Sequence, residues 1–328
     1  MSDLKTPPIP EAIIPEDTPP ATPKDHRKRQ VAIKAFVLLL VFTLGVGSGY
    51  FVGSRFRHTV VTDKNSISDD ESMAMMHQIN PPEGYEIAAV IGDIGPQLVA
   101  AGAISMPRFS SLYEQQKRPL TDEQVTILTK GTQANIEINP ENAYFWLNFF
   151  WALGLTNENP ILTEGAMVSR GMDKVGGYAS TGGWTLGTRQ AIELYSSRRI
   201  VELTAEQQAR LAEVAGMVFR PCCNNPTDFP DCNHGMAMLG LLELMSAQNA
   251  SVNQMYEAAK YVNAFWYPQQ MLEVAFAIKA TQNVDFVHAN AQEVVSSQYS
   301  SASGFSSVHQ WLVANGLLPH APSSGGSC

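Results

Sequence analysis

Thr204-Ala205-Glu206-Gln207-Gln208-Ala209-Arg210-Leu211-Ala212-Glu213-Val214-Ala215-Gly216-Met217-Val218 is the stretch that decides the fold class. Thr204 and Gln207 have the spacing of a capping box, in which a hydroxyl and a side chain three residues later each satisfy an orphan amide of the first helical turn. Leu211, Val214 and Val218 then recur at helical spacing, which predicts an amphipathic helix over 205–219.

The same punctuation recurs on both sides. Thr121 with Gln124 and Ser251 with Gln254 repeat the capping box, and Leu241, Leu244 and Met245 repeat the helical spacing in a helix expected over 235–247. Asn139-Pro140 and Asn159-Pro160 read as helix starts with Pro where a missing amide costs nothing. Phe145, Trp146, Phe149, Phe150 and Trp151 crowd an uncharged stretch, Ala143 to Leu155, that is too short to cross a bilayer and reads as the core helix. No comparable set of alternating β-branched runs with tight-turn dipeptides appears, so the fold class expected is all-α, a multi-helix domain over 85–318.

The whole chain has 328 residues, 45% hydrophobic and only 16% charged, so an apolar segment inflates the average. That segment is Ala35 to Ser54, uncharged and long enough to span about 30 Å of hydrocarbon as a helix. It lies beyond a typical signal-peptide position and has no small-residue cleavage pattern, so 31–54 is expected to be a retained transmembrane anchor. The Pro-rich stretch 1–30 before it reads as a disordered tail, 55–84 as a linker and 319–328 as a flexible tail. Arg27, Lys28 and Arg29 of the basic cluster Lys24, His26, Arg27, Lys28 and Arg29 precede the span and Arg55, Arg57 and Lys64 follow it, so the charge bias is slight, and it is the short tail before one span that puts the N-terminus in the cytoplasm and the domain outside, at the cell membrane. Gly45, Gly49 and Gly53 repeat at intervals of four and offer one face for homodimer packing. A formal net charge of −9, with no basic stripe, excludes a general nucleic-acid binder.

The chemistry-bearing stretch is Pro221-Cys222-Cys223-Asn224-Asn225-Pro226-Thr227-Asp228-Phe229-Pro230-Asp231-Cys232-Asn233-His234-Gly235-Met236-Ala237-Met238, which holds three of the four cysteines. Thiolate, imidazole and thioether are donors for Cu(I), and thiolate with imidazole also suits Zn. The candidate metal ligands are therefore Cys222, Cys223, Cys232, His234, Met236 and Met238, in a loop whose far end is a helix N-terminus that favours thiolate. If Asp231 caps that helix, Cys232 and His234 point to different faces, whereas His234 with Met238 and Cys232 with Met236 share one. The spacing does not fit c-type haem or a zinc ribbon.

The alternative is a disulfide from Cys232 to Cys222 or Cys223, leaving a thiol for Cys328 or a partner chain and making the loop a structural staple of a tethered interaction or scaffold domain. An enzyme ranks third, because no nucleophile, base and oxyanion donor can be assembled from the sequence. The glycine-rich run from Gly176 to Gly187 lacks the phosphate-loop pattern and reads as a helix-to-helix connection. The sequence thus points to a membrane-anchored helical protein with a soft-metal loop.

Overall fold

A computed structural model describes residues 67–319. The expected anchor, its Gly45, Gly49 and Gly53 face, the Pro-rich tail and residues 320–328 with Cys328 lie outside the described residues. Among the described residues no helix is long and apolar enough to cross a membrane.

The described chain is mostly helical. In order it forms α1 (Asp69–Ile79), β1 (Tyr85–Gly92), α2 (Ile94–Ala100), α3 (Met106–Gln115), α4 (Asp122–Thr129), β2 (Thr132–Ile138) and α5 (Ala143–Thr156). A region of short helical turns follows, then α6 (Ala205–Ala215), α7 (Asn233–Ala247), α8 (Val252–Trp266), α9 (Pro268–Gln282) and α10 (Ala302–Asn315). Each capping box expected at Thr121, Thr204 and Ser251 is formed with both reciprocal hydrogen bonds. A further one, Ser68 with Glu71, opens α1 inside the stretch 55–84 read as linker. That helix packs on α9, so the folded unit begins ahead of residue 85.

One other expectation is corrected, and the all-α reading, which the mostly helical described chain supports, is qualified. Asn139-Pro140 does not start a helix directly: the Asn139 carboxamide accepts from the Glu141 and Asn142 amides in a local turn, and α5 begins after Asn142. The all-α reading also misses an antiparallel β1–β2 ribbon, with Tyr85 opposite Ile138 and Ile87 opposite Ile136. Its period-two signal is present in the buried Ile87, Ala89 and Ile91, but Ala and Gly dilute it. Past Ile87 the register shifts, and the Gln248 side chain fills in, accepting from the Val90 amide at 2.8 Å and donating to its carbonyl at 2.7 Å.

The centre is the pairing of α5 with α7. On α5 every residue but Tyr144 is buried, as expected for the core helix, and α7 is buried from His234 to Ser246. Helices apolar all round belong inside a domain. Their backbones touch at Gly154 and Gly240, where a Cβ on Gly154 would collide with the Met236 carbonyl oxygen. This close crossing holds the start of α7, and with it the cysteine loop, against the core.

Candidate metal centre

Helix α6 ends at Ala215, short of the expected 219, and the chain turns through 216–232 before α7. The turn is pinned from several sides. The Thr227 amide donates to the Val218 carbonyl at 2.9 Å, the Asn263 side chain of α8 to the Phe219 carbonyl at 2.8 Å, and the Ala302 amide of α10 to the Cys223 carbonyl at 2.9 Å. Asn225 donates to Asp231 at 2.8 Å, and the Ser180 amide to the Asp231 carbonyl at 3.1 Å. A loop with this many backbone anchors presents its side chains in fixed directions.

The result brings Cys222, Cys223 and Cys232 together, with their sulfurs all within 4.8 Å of one another. Cys222 Sγ lies 3.5 Å and Cys223 Sγ 3.8 Å from Cys232 Sγ. All three thiols are free. Cys232 is itself the N-cap of α7, its sulfur accepting from the Gly235 amide at 3.3 Å, so the Asp231 cap considered from sequence is not the one formed. His234 is not a member of the three-sulfur group. Its ring is buried against Trp266 and Tyr267, with centroids 5.7 and 4.6 Å away, and burial pulls its pKa down to about 4. Met236 and Met238 are fully buried members of the hydrophobic core.

Sequence reasoning missed the cation that completes this site. Arg220 has no exposed surface, and its Nη2 donates to Cys223 Sγ at 3.0 Å and stands 3.6 Å from the Asp231 carboxylate. Its other terminal nitrogen donates to the Thr227 hydroxyl at 3.5 Å, while its Nε has no hydrogen-bond partner among the described residues. Gly235 makes the space: a Cβ there would stand 2.6 Å from Nη2. The signal available was an arginine directly after Met217-Val218-Phe219, at the end of an apolar helix face, where a solvated charge is out of place.

The electrostatics follow from that arrangement. Hydrogen bonds from Cys222 and Cys223, reinforced by Arg220 and the Gly235 amide, hold the Cys232 thiol far below its ordinary range in spite of burial. Bonding to Cys223 and Cys232, together with burial, pushes the Cys222 thiol up. For Cys223 the bond from Cys222 works downward, but the bond to Cys232 and burial prevail and its pKa rises. Burial alone would lower the Arg220 pKa, yet the three sulfurs outweigh it and the guanidinium stays charged. Metal-free, negative charge in the cluster is drawn toward Cys232, beside the buried Arg220 cation. Tyr267 adds a buried hydroxyl beside Cys222, its pKa pushed up first by burial and then by the Cys222 and Cys232 sulfurs.

Such a group can hold a metal ion by its three sulfurs. The glycine-rich run, by contrast, is a connection between short helices: Gly176 is the C-cap of Met172–Val175, and Tyr178 rather than Ser or Thr caps Ala179–Gly182. Comparison with protein-family models, with curated proteins and with solved structures finds no match, so the functional reading stands on this geometry alone.

Proposed function

We propose that the protein is a membrane-anchored metal-binding protein whose Cys222, Cys223 and Cys232 hold one soft metal ion, Zn or Cu(I), in an extracytoplasmic helical domain. The observation that carries the reading is the sulfur spacing of 3.5 and 3.8 Å about Cys232. A metal about 2.3 Å from each of two sulfurs places them about 3.8–4.0 Å apart in tetrahedral or trigonal geometry, whereas a disulfide needs about 2.0 Å. The spacing is near the first value and far from the second.

Charge supports the same reading. Three thiolates with a divalent ion carry one net negative charge, and the buried Arg220 supplies an adjacent positive one. His234, Met236 and Met238 drop to a supporting role: the ring packs under Tyr267 and the two methionines fill the core. The anchor over 31–54 and the cytoplasmic N-terminus belong to the proposal on the sequence argument.

Metal analysis of the full chain, purified in detergent under reducing conditions, tests it. About one equivalent of zinc or copper per chain is expected, lost in Cys232→Ser and retained in His234→Ala. A reduced chain that takes up neither ion stoichiometrically overturns the reading. Alkaline carbonate extraction tests the anchor, with the intact chain expected in the membrane pellet.

A further inference from the structure

We infer that this site also performs thiol–disulfide exchange with small-molecule disulfides through Cys222 and Cys232, and that it gives up its metal in doing so. The release step rests on the metal reading above; the exchange step does not.

The three sulfurs are not equivalent. Cys222 is exposed, whereas Cys223 and Cys232 are half-buried, so a small disulfide meets Cys222 first. Cys232 is fixed behind it at the N-cap of a fifteen-residue helix, its sulfur 3.5 Å from that of Cys222. Cys223 is held apart from this pair. Its sulfur takes the Arg220 hydrogen bond at 3.0 Å, its carbonyl takes the Ala302 amide at 2.9 Å, and it stands farther from Cys232, at 3.8 Å. A bridge between neighbours Cys222 and Cys223 is disfavoured by the chain itself, since adjacent Cα atoms lie about 3.8 Å apart and ordinary disulfides span about 4.4–6.8 Å.

The chemistry takes two displacements. The exposed Cys222 sulfur, a thiolate where it holds the metal and giving its proton to solvent where it does not, attacks one sulfur of the small disulfide, forming a mixed disulfide on Cys222 and expelling the first small thiolate. The Cys232 sulfur then attacks Cys222 Sγ, closing the Cys222–Cys232 bond and expelling the second. The protein loses two electrons, the small disulfide gains them, and the two departing thiolates take protons from water. Only Cys223 is left as a thiolate donor, and one sulfur cannot hold the ion that three held.

The test treats the zinc-loaded full chain in detergent with oxidised glutathione in the absence of air. Zinc release is followed with a chromophoric indicator, and cross-links are mapped by mass spectrometry after alkylation. No Lys or Arg lies between Arg220 and Lys260, so an Asp-directed protease, cutting at Asp228 and Asp231, is needed to separate Cys232 from the other two. Expected are a cross-link to Cys232 that persists in Cys223→Ser and disappears in Cys222→Ser, with about one zinc released per cross-link. A cross-link that survives Cys222→Ser and is lost in Cys223→Ser overturns the assignment, as does oxidised chain that keeps its zinc. A chain that forms the Cys222–Cys232 bond but never holds zinc supports the exchange and overturns the metal reading, which separates the two failures.

Discussion

Two wholly buried ionisable groups, one in the loop against the start of helix α7 and one within that helix, solve the same problem in opposite ways. At its start Arg220 lies wholly buried beside the Cys232 N-cap, and eleven residues further on Glu243 is wholly buried within the helix. Arginine does not lose its proton in a protein, so its burial is tolerable only where negative partners stand near, and here the Cys232 sulfur and Asp231 do so. Among the described residues no cation pairs with Glu243. Burial drives its pKa well above the ordinary value, only partly opposed by the Asn157 and Asn159 side chains, which favours the neutral form. The lesson is that a buried charge survives where the fold brings an opposite charge to it, and a buried group that can shed its charge does so otherwise.

Substitutions at the two centres should separate them. The largest effect is expected for Arg220→Met in the reduced, metal-free chain, a loss of about 3 kcal/mol in urea unfolding because a buried thiolate is left without its cation. Coupling is the sharper measurement: the Arg220→Met, Cys232→Ser double variant should recover part of that loss, and strict additivity would show that the two side chains do not form a pair. Gly235→Ala comes next at about 1–3 kcal/mol, since its methyl group meets the guanidinium and must push it off Cys223. A variant as stable as the parent would show that Arg220 has room to spare.

The smallest effect, and one of opposite sign, is expected at Glu243. The folded chain keeps this proton to higher pH than the unfolded chain, whose carboxyl ionises near 4.5. Above that pH the unfolded state gains by ionising, so stability falls as pH rises until the folded group ionises as well. Glu243→Gln removes that slope and should raise the melting temperature by a few degrees at pH 8 while leaving it nearly unchanged at pH 4. Identical melting curves at both pH values would place the carboxyl in a far less costly environment than its burial implies.

The sequence by itself determined where helices start, because a capping box is a local device: Thr121, Thr204 and Ser251 each need only the three residues that follow. It determined that α5 lies in the core, since Phe145, Trp146, Phe149, Phe150 and Trp151 surround one short uncharged helix with apolar surface. It also marked the three cysteines as one group by their closeness along the chain. Tertiary structure alone decided how they meet. Which side chain caps α7, whether His234 joins the sulfurs and which cation faces them depend on the crossing of α5 with α7 and on contacts from α8 and α10, made by residues far apart in the chain. The ribbon was lost for a related reason, since β1 and β2 are separated by three helices and neither strand is legible without its partner. Local hydrogen-bond patterns can be read from adjacent residues; the neighbours of a buried group cannot, because burial is a property of the whole packed chain.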